Sequence, residues 1–280
     1  MRQVFRDSSL QQRFERDGYV VVDFYNESEV ARLLEIWDEL PGDLGEVPFS
    51  NTIMSRDLNY RREVHEQVAD VFRQRTDALL DQYRICLCSF NAKRPQDEGG
   101  IVQLHQDWTF VDESRYQAVG IWCPLVDVTE DNGCLRIVPG SHRLNSRPRG
   151  FQEPFPYSDL LPCIERDYLV EIPMKAGQAF VYTQRLFHSS PSNRSDRLRL
   201  AAGALALPDK SKLRFLMSNG QENPRQLTVY EVADDFYRTY LFGSVPDDSL
   251  RAGVLDGGYE PVSEARLHEV LGARDAATCC

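Results

Sequence analysis

The stretch Gln103-Leu104-His105-Gln106-Asp107-Trp108 places a histidine and a carboxylate two residues apart, in a run that otherwise reads as a strand. In an extended chain, residues i and i+2 point to the same side, so His105 and Asp107 can reach one point in space. A metal site needs at least one more donor, and His188 supplies one at the end of another apolar stretch. The sequence therefore predicts a site built from two imidazoles and one carboxylate.

The remaining histidines are weaker candidates for a metal ligand. His65 and His268 fall on predicted helices, and His142 falls in a Pro-Gly turn. Two histidines and one carboxylate with open positions opposite are typical of non-haem Fe(II) oxygenases. Three ligands and a water also suit zinc, so a hydrolase is an alternative. A buried, hydrogen-bonded imidazole remains the plain alternative for His105 and His188.

Two arginines follow the second histidine, at the start of an apolar, small-residue stretch. Arginine inside such a strand is costly unless it meets an anion. Arg197 and Arg199 are two residues apart, so we expect both to face the same side. A dicarboxylate chelated to the metal would supply the anion through a two-pronged contact. An arginine paired with a core aspartate is the alternative.

The order of predicted elements indicates a mainly β protein with bracing α-helices. Helices are predicted over residues 26–40 and 61–83, and again over 229–242 and 263–271. Between them, short apolar strands alternate with turn signals, which favours a β-sandwich or barrel with helices on one face. The predicted strands are 18–24, 85–90, 102–104, 118–125, 135–138, 168–172, 179–182 and 198–207.

We expect one domain over residues 1–280, in three parts. These are a helical N-terminal part (about 8–83), a β core (about 84–207) and a C-terminal extension (about 208–280). The long segment 143–167 is a candidate lid or binding loop, with surface packing as the alternative. The segment 43–60 is predicted to be a connector rather than a substrate wall. Phe110, Asp112 and Arg115 are candidate neighbours of a substrate.

Composition argues against several kinds of partner. The chain has a formal net charge of −11 and a pI near 5.0, without a basic run, so nucleic acid and anionic membranes are poor partners. It has neither an apolar signal core nor a membrane-length apolar run, which predicts a soluble cytoplasmic protein, monomeric or homodimeric. The seven cysteines form no CxxC pair, and most are expected to be buried, reduced thiols.

Five motifs occur in an order that resembles the phytanoyl-CoA dioxygenase family of Fe(II)- and 2-oxoglutarate-dependent oxygenases. The resemblance extends from about Leu10 to Leu207 and implies a double-stranded β-helix, a cupin-like relative of the jelly roll. The motifs are Leu104–Asp107, Ile121–Asp127, Asn132–Leu135, Pro139–His142 and His188–Asn193.

The resemblance also assigns roles to individual residues. Iron would be bound by His105, Asp107 and His188. Arg199, eleven residues after His188, would hold the far carboxylate of 2-oxoglutarate, with Arg197 the weaker candidate. The residues implied to line the cosubstrate pocket are Ser190, Trp122 and, with less support, Ser89. Gln178 departs from the family pattern, where an acidic residue is common, but it lies outside the ligand set.

The implied activity uses Fe(II), 2-oxoglutarate and O2 to hydroxylate an unactivated C–H bond of a small to medium organic metabolite, such as a natural-product intermediate, releasing succinate and CO2. The carboxylate of Asp107 favours hydroxylation over halogenation, because halogenating relatives have a small residue there. Desaturation or epoxidation on the same scaffold is an alternative. A metal- or small-molecule-binding β-barrel without catalysis is another.

Overall fold

The computed structural model describes residues 3–40, 42, 47–151, 153, 155–220, 226–257 and 262–272. Its first helix, α1 (Ser8–Asp17), begins at Asp7, whose side chain accepts from two backbone N–H groups, and ends at Gly18. Gly18 has φ 84°, the left-handed conformation that glycine adopts at least cost. Among the described residues, no helix is long and apolar enough to cross a membrane.

Two further helices cover one side of the β core. Helix α2 (Glu27–Glu39) begins with a capping box between Asn26 and Glu29, which confirms its predicted start. Helix α3 (Leu58–Leu79) is capped by Asp57 and starts three residues before the predicted boundary. The apolar faces of both helices pack against the larger sheet in one hydrophobic cluster.

The core consists of two antiparallel sheets. In spatial order, the larger sheet contains β1 (Tyr19–Asp23), β8 (Gln178–Thr183), β5 (Val119–Pro124), β10 (Arg199–Pro208), β3 (Tyr83–Lys93) and β2 (Phe49–Asn51). The smaller sheet contains β4 (Val102–His105), β9 (Phe187–Ser190), β6 (Leu135–Val138) and β7 (Val170–Ile172). Its side chains pack against Trp122 and Phe180 of the larger sheet. The predicted jelly-roll architecture is confirmed, with open rather than closed sheets.

The C-terminal extension is more β-rich than its sequence suggested. It contains β11 (Leu213–Ser218), β12 (Gln226–Val232), the single-turn helix α5 (Phe236–Thr239), β13 (Arg251–Asp256) and α6 (Glu264–Leu271). The helix predicted over 229–242 is wrong at its start, because Val229 and Tyr230 pair with Leu216 and Phe215 in a hairpin. Tertiary pairing of β-branched and aromatic residues overrides the helical spacing here. Helix α6 is capped by Ser263, as predicted.

The segment 143–167 is anchored rather than free. Thr109 and Arg149 exchange backbone and side-chain hydrogen bonds, and the Phe151 N–H donates to the Leu216 carbonyl at 2.7 Å. Its second half contains α4 (Leu161–Asp167), which sequence periodicity did not indicate. The segment therefore links the loop after β4 to the C-terminal extension.

The cysteines that the structure describes agree with the expectation of reduced, buried thiols. They are Cys86, Cys88, Cys123, Cys134 and Cys163. All five are free and buried. The predicted Cys279-Cys280 tail lies outside the described residues.

Candidate active site

His105 and His188 lie directly opposite each other on neighbouring strands β4 and β9. Their ring centroids are 4.2 Å apart. The Nδ1 atom of His105 lies 2.8 Å from the Gln103 carbonyl, and that of His188 lies 3.0 Å from the Leu186 carbonyl. A carbonyl accepts only, so Nδ1 carries the proton on both rings and each Nε2 offers its lone pair.

Asp107 lies two residues beyond the end of β4, so strand spacing alone does not place it. Its Oδ1 is 3.7 Å from each imidazole Nε2. Its Oδ2 accepts from the Tyr182 hydroxyl at 2.8 Å. With its amide oxygen accepting from the Gly120 N–H, Gln184 also donates to Oδ2, at 2.6 Å. One carboxylate oxygen is thus held by the protein while the other faces the imidazoles.

The electrostatics of these three residues suit a divalent cation. Their ligand atoms all lie within 4.8 Å of one another. Burial lowers the pKa of His188 to about 4, which keeps its imidazole neutral. Burial opposes ionisation of Asp107, but the nearby histidines and the Tyr182 hydrogen bond lower its pKa to about 2. Burial opposes protonation of His105, but the hydrogen bond and charge of Asp107 raise its pKa, so a metal ion bound there would displace a proton from this imidazole.

A buried ionic cluster supports the main chain of Asp107. The Arg149 Nε donates to the Asp107 carbonyl at 2.8 Å, and its guanidinium forms a two-pronged ion pair with Glu113. Glu113 also accepts from the Arg185 Nε at 3.0 Å. Arg149 belongs to the segment 143–167, in which no described residue lines the cavity. That segment therefore supports the site rather than forming its wall.

Arg199 is a buried cation without a protein anion. It is the first residue of β10 and is 2% exposed. Its Nε has no hydrogen-bond partner, and none of the described carboxylates pairs with its guanidinium, which lies 5.4 Å from the centre of the Trp122 ring. Burial lowers its pKa to about 10, so it remains charged at neutral pH. An unpaired buried charge is costly, which indicates that this end of the cavity accepts an anion.

The expectation that Arg197 shares the face of Arg199 is wrong. The side chain of Arg197 is 91% exposed. Strand β10 begins only at Arg199, so the two-residue rule of an extended chain does not apply to a residue in the preceding bend.

Arg199 pairs across the sheet with Lys93, a second buried basic residue. The Lys93 amino group donates to the backbone carbonyls of Ser190 and Pro191, with a distance of 3.0 Å to Ser190. Burial, followed by the charge of Arg199, lowers the pKa of Lys93 to about 6. Lys93 therefore ties the end of β9 to the larger sheet beside the anion-accepting arginine.

The metal cluster and Arg199 line one cavity of about 420 Å³. The polarity of its wall changes along the paired strands β10 and β3. The wall is charged at Arg199, polar where Gly203 pairs with Ser89, and apolar where Leu205 pairs with Leu87. Ser190, Trp122 and Ser89 line it, and their implied contact with a cosubstrate stays a prediction. The anion-binding end and the apolar end are thus six residues apart on one strand, about 20 Å.

Several lining residues were missed by sequence reasoning: Tyr182, Gln184, Asn51, Asn91 and Phe242. For Tyr182, the one available signal was that side chains alternate between the two faces along the predicted strand 179–182. Asn51 donates to the Asn91 side chain at 3.0 Å, a contact between distant segments without a local motif. Ile53 and Met54 also line the cavity, so residues 47–60 contribute a wall, contrary to the connector prediction, whereas 43–46 lie outside the described residues.

Two of the three candidate substrate neighbours lie away from the cavity. Phe110 lines it, whereas Asp112 and Arg115 are absent from its described lining. Asp112 instead lies 3.6 Å from Arg214 of β11.

Comparison with known proteins gives a family match over residues 14–201, to the model described as Phytanoyl-CoA dioxygenase (PhyH). The zebrafish (Danio rerio) phytanoyl-CoA dioxygenase domain-containing protein 1 is 36% identical over 112 residues, covering 36% of this chain and 37% of that protein. An Arabidopsis thaliana phytanoyl-CoA dioxygenase is 37% identical over 106 residues, covering 37% of each chain. The alignments thus span little more than a third of the length of these relatives.

Solved structures share the fold across more of the chain. The epimerase SnoN, in complex with Fe3+, alpha ketoglutarate and nogalamycin RO, has a TM-score of 0.56 and 21% identity, covering 92% of this chain and 96% of that chain. EctD from S. alaskensis, with 2-oxoglutarate and 5-hydroxyectoine, has a TM-score of 0.51 and 24% identity, covering 76% and 79%. Because the family match includes all three clustered ligands, Arg199 and most of both sheets, the chain belongs to the phytanoyl-CoA dioxygenase (PhyH) family.

Proposed function

We propose that this protein is an Fe(II)- and 2-oxoglutarate-dependent oxygenase that hydroxylates a C–H bond of a small to medium organic metabolite. One observation carries the proposal: His105, Asp107 and His188 meet in the same cavity as a buried, unpaired Arg199. Three protein ligands on one side leave open positions on an iron ion. A zinc hydrolase has no use for the arginine, whereas a chelating dicarboxylate needs it.

The residues present fit both iron and the cosubstrate. The two imidazole Nε2 atoms and the Asp107 Oδ1 would hold the metal, and Tyr182 and Gln184 keep Oδ2 from rotating towards it. Arg199 would bind the distal carboxylate of 2-oxoglutarate, between the faces formed by Trp122 and Ser190. When bound, the metal would activate O2 as the oxidant: one oxygen atom would enter succinate as 2-oxoglutarate supplies two electrons and loses CO2, and the other would convert the substrate C–H bond into an alcohol.

The protein contributes position and the exclusion of water. The cavity is of a size that encloses a drug-sized ligand, since such pockets range from about 300 to 1,000 Å³. Its rear wall is closed by buried side chains of β5, β8 and β10. The Asp107 carboxylate occupies the position that a halide would need, which favours hydroxylation over halogenation. The ligands in SnoN and EctD, iron with alpha ketoglutarate and 2-oxoglutarate, respectively, support the choice of cofactors.

The test is reconstitution without oxygen. We expect Fe(II) and 2-oxoglutarate, added together anaerobically, to produce a visible absorption band that neither gives alone. Admission of O2 should then release succinate and place one atom of 18O2 in a hydroxylated product. Binding of Fe(II) without the band or succinate would indicate a non-catalytic metal-binding protein, and an unsaturated or epoxidised product would redirect the assignment to those reactions.

A further inference from the structure

The end of the cavity remote from Arg199 is built from one hydrophobic cluster. Its cavity-lining members are Ile53, Leu87, Trp108, Phe110, Leu205 and Phe242. The ionisable side chains in the described lining are His105, Asp107, His188 and Arg199, and the proposed function already uses all four. This end therefore offers a substrate no charged partner.

Aromatic side chains give this apolar end a fixed shape. Trp108 contacts Phe151 edge to face, with ring centroids 5.1 Å apart, and lies 5.7 Å from Phe242. Phe151 and Phe242 lie 5.9 Å from each other, which closes a triangle of rings. Such clusters present large, rigid, apolar surfaces. Phe242 lies beyond the family match, so the C-terminal extension supplies part of the wall.

A buried arginine joins two segments of that wall. Arg61 on α3 donates through Nε to the Ser55 carbonyl at 2.5 Å and through Nη1 to the Tyr240 carbonyl at 2.6 Å. Its guanidinium lies 5.4 Å from the centre of the Phe242 ring. Arg61 does not line the cavity and forms no ion pair with a described carboxylate. These contacts fix the position of the segment bearing Ile53 relative to the segment bearing Phe242.

From these features we propose that the substrate is an uncharged, largely apolar compound with a flat ring system, which packs against the aromatic surface that Trp108 and Phe242 present to the cavity. The inference rests on the proposed function and narrows its substrate class. A charged group in this end would lose its hydration without gaining a partner. A coenzyme A thioester would gain no phosphate partner at this end either, because the described lining there contains no arginine or lysine.

The experiment uses three probes that share one ring system: methyl 2-naphthoate, 2-naphthoate and 2-naphthoyl-CoA. Binding is measured by equilibrium dialysis, anaerobically, with Fe(II) and 2-oxoglutarate present so that Arg199 is already occupied. We expect the ester to bind about tenfold or more tightly than either anion, because only the anions must bury an unpaired charge. Equal or tighter binding of an anion, or no saturable binding of the ester, would overturn the proposal.

Substitutions in the apolar end test whether the ester binds there. Phe242→Ala should weaken ester binding about tenfold, as expected for an aromatic side chain in the centre of a contact. The matched control, Leu241→Ala, removes an exposed neighbouring side chain and should leave it unchanged. Met54→Lys, at an exposed position of the cavity mouth, should raise the affinity for 2-naphthoate about threefold through one exposed ion pair.

Failure of this inference is separable from failure of the proposed function. Loss of the anaerobic absorption band would remove the oxygenase assignment. Ester binding to the metal-free protein, with the same Phe242→Ala sensitivity, would still establish the apolar site. A normal band with a preference for the anionic probes would retain the oxygenase and remove the substrate class.

Discussion

The two ends of the cavity are built in different ways. The metal and Arg199 end depends on polar groups whose partners are close in space and often close in sequence, as when His105 bonds to the carbonyl two residues before it. The apolar end brings together segments as distant as Ile53 and Phe242 through a shared hydrophobic cluster. Polar contacts impose distances and angles, whereas apolar burial imposes mainly volume.

This difference predicts how each end responds to substitution. At the metal end, removal of one polar atom leaves its partner unsatisfied or misplaced, so the effect on ligand binding is large and specific. At the apolar end, neighbouring side chains adjust, and single changes alter affinity by smaller factors.

The largest effect is expected for His188→Ala. The variant loses one of three ligand atoms, and among the described residues no other histidine, cysteine, aspartate or glutamate belongs to the cluster and could replace it. Iron content after anaerobic loading and succinate release should both fall to background. His268→Ala, at an exposed position on α6, is the matched control and should retain both. Full iron content in the His188 variant would remove that residue from the ligand set.

Arg199→Gln should weaken 2-oxoglutarate binding about 10- to 100-fold, because hydrogen bonds to charged groups contribute about 1.5–3 kcal/mol. Arg199→Lys should recover part of the loss, since the charge remains and the two-pronged geometry does not. The measurement is the 2-oxoglutarate affinity at saturating Fe(II). Arg197→Gln, at the exposed position, is the control. A larger loss in the Arg197 variant would reverse the assignment.

Tyr182→Phe removes one of the two donors that hold Asp107 Oδ2 and preserves the ring packing against His188. We expect metal affinity to fall about tenfold, the lower range for loss of a group that orients a ligand. Competitive titration of Fe(II) against a chelator measures this change. Tyr116→Phe, away from the cavity, should have no effect. Unchanged metal affinity in the Tyr182 variant would mean that Gln184 alone fixes the carboxylate.

The three residues that cluster at the metal end could be chosen from the sequence, whereas their roles as ligands stay a prediction. His105, Asp107 and His188 could be selected by residue type and by their position next to apolar runs. The jelly-roll architecture followed from the alternation of short strands with turns, together with the family resemblance. Even here, the position of Asp107 beyond β4 depends on contacts with Tyr182, Gln184 and Arg149. No sequence pattern indicated these partners.

The apolar end could not be predicted for a physical reason. Hydrophobic side chains from distant segments carry no motif that identifies their neighbours, because the interaction is non-directional. The helical spacing over residues 229–242 even favoured the wrong element, since a hairpin with β11 satisfies the same apolar residues. Phe242 gained its place in the cavity from that hairpin and from Arg61, neither of which local patterns indicate.

The smallest effect is expected for Arg61→Lys, which tests whether the hydrogen bonds of Arg61 to the two wall segments shape the apolar end. Lysine keeps the charge but cannot donate in the fixed fork that spans the Ser55 and Tyr240 carbonyls. We expect the affinity for methyl 2-naphthoate to fall only about threefold, less than for direct loss of a hydrogen bond to a charged group, because Arg61 acts on the ligand only through the wall, while 2-oxoglutarate affinity stays constant. Arg62→Lys, the exposed neighbour on α3, is the control. A parallel loss of both affinities would show that Arg61 stabilises the whole fold, and the distinction between the two ends would not extend to α3.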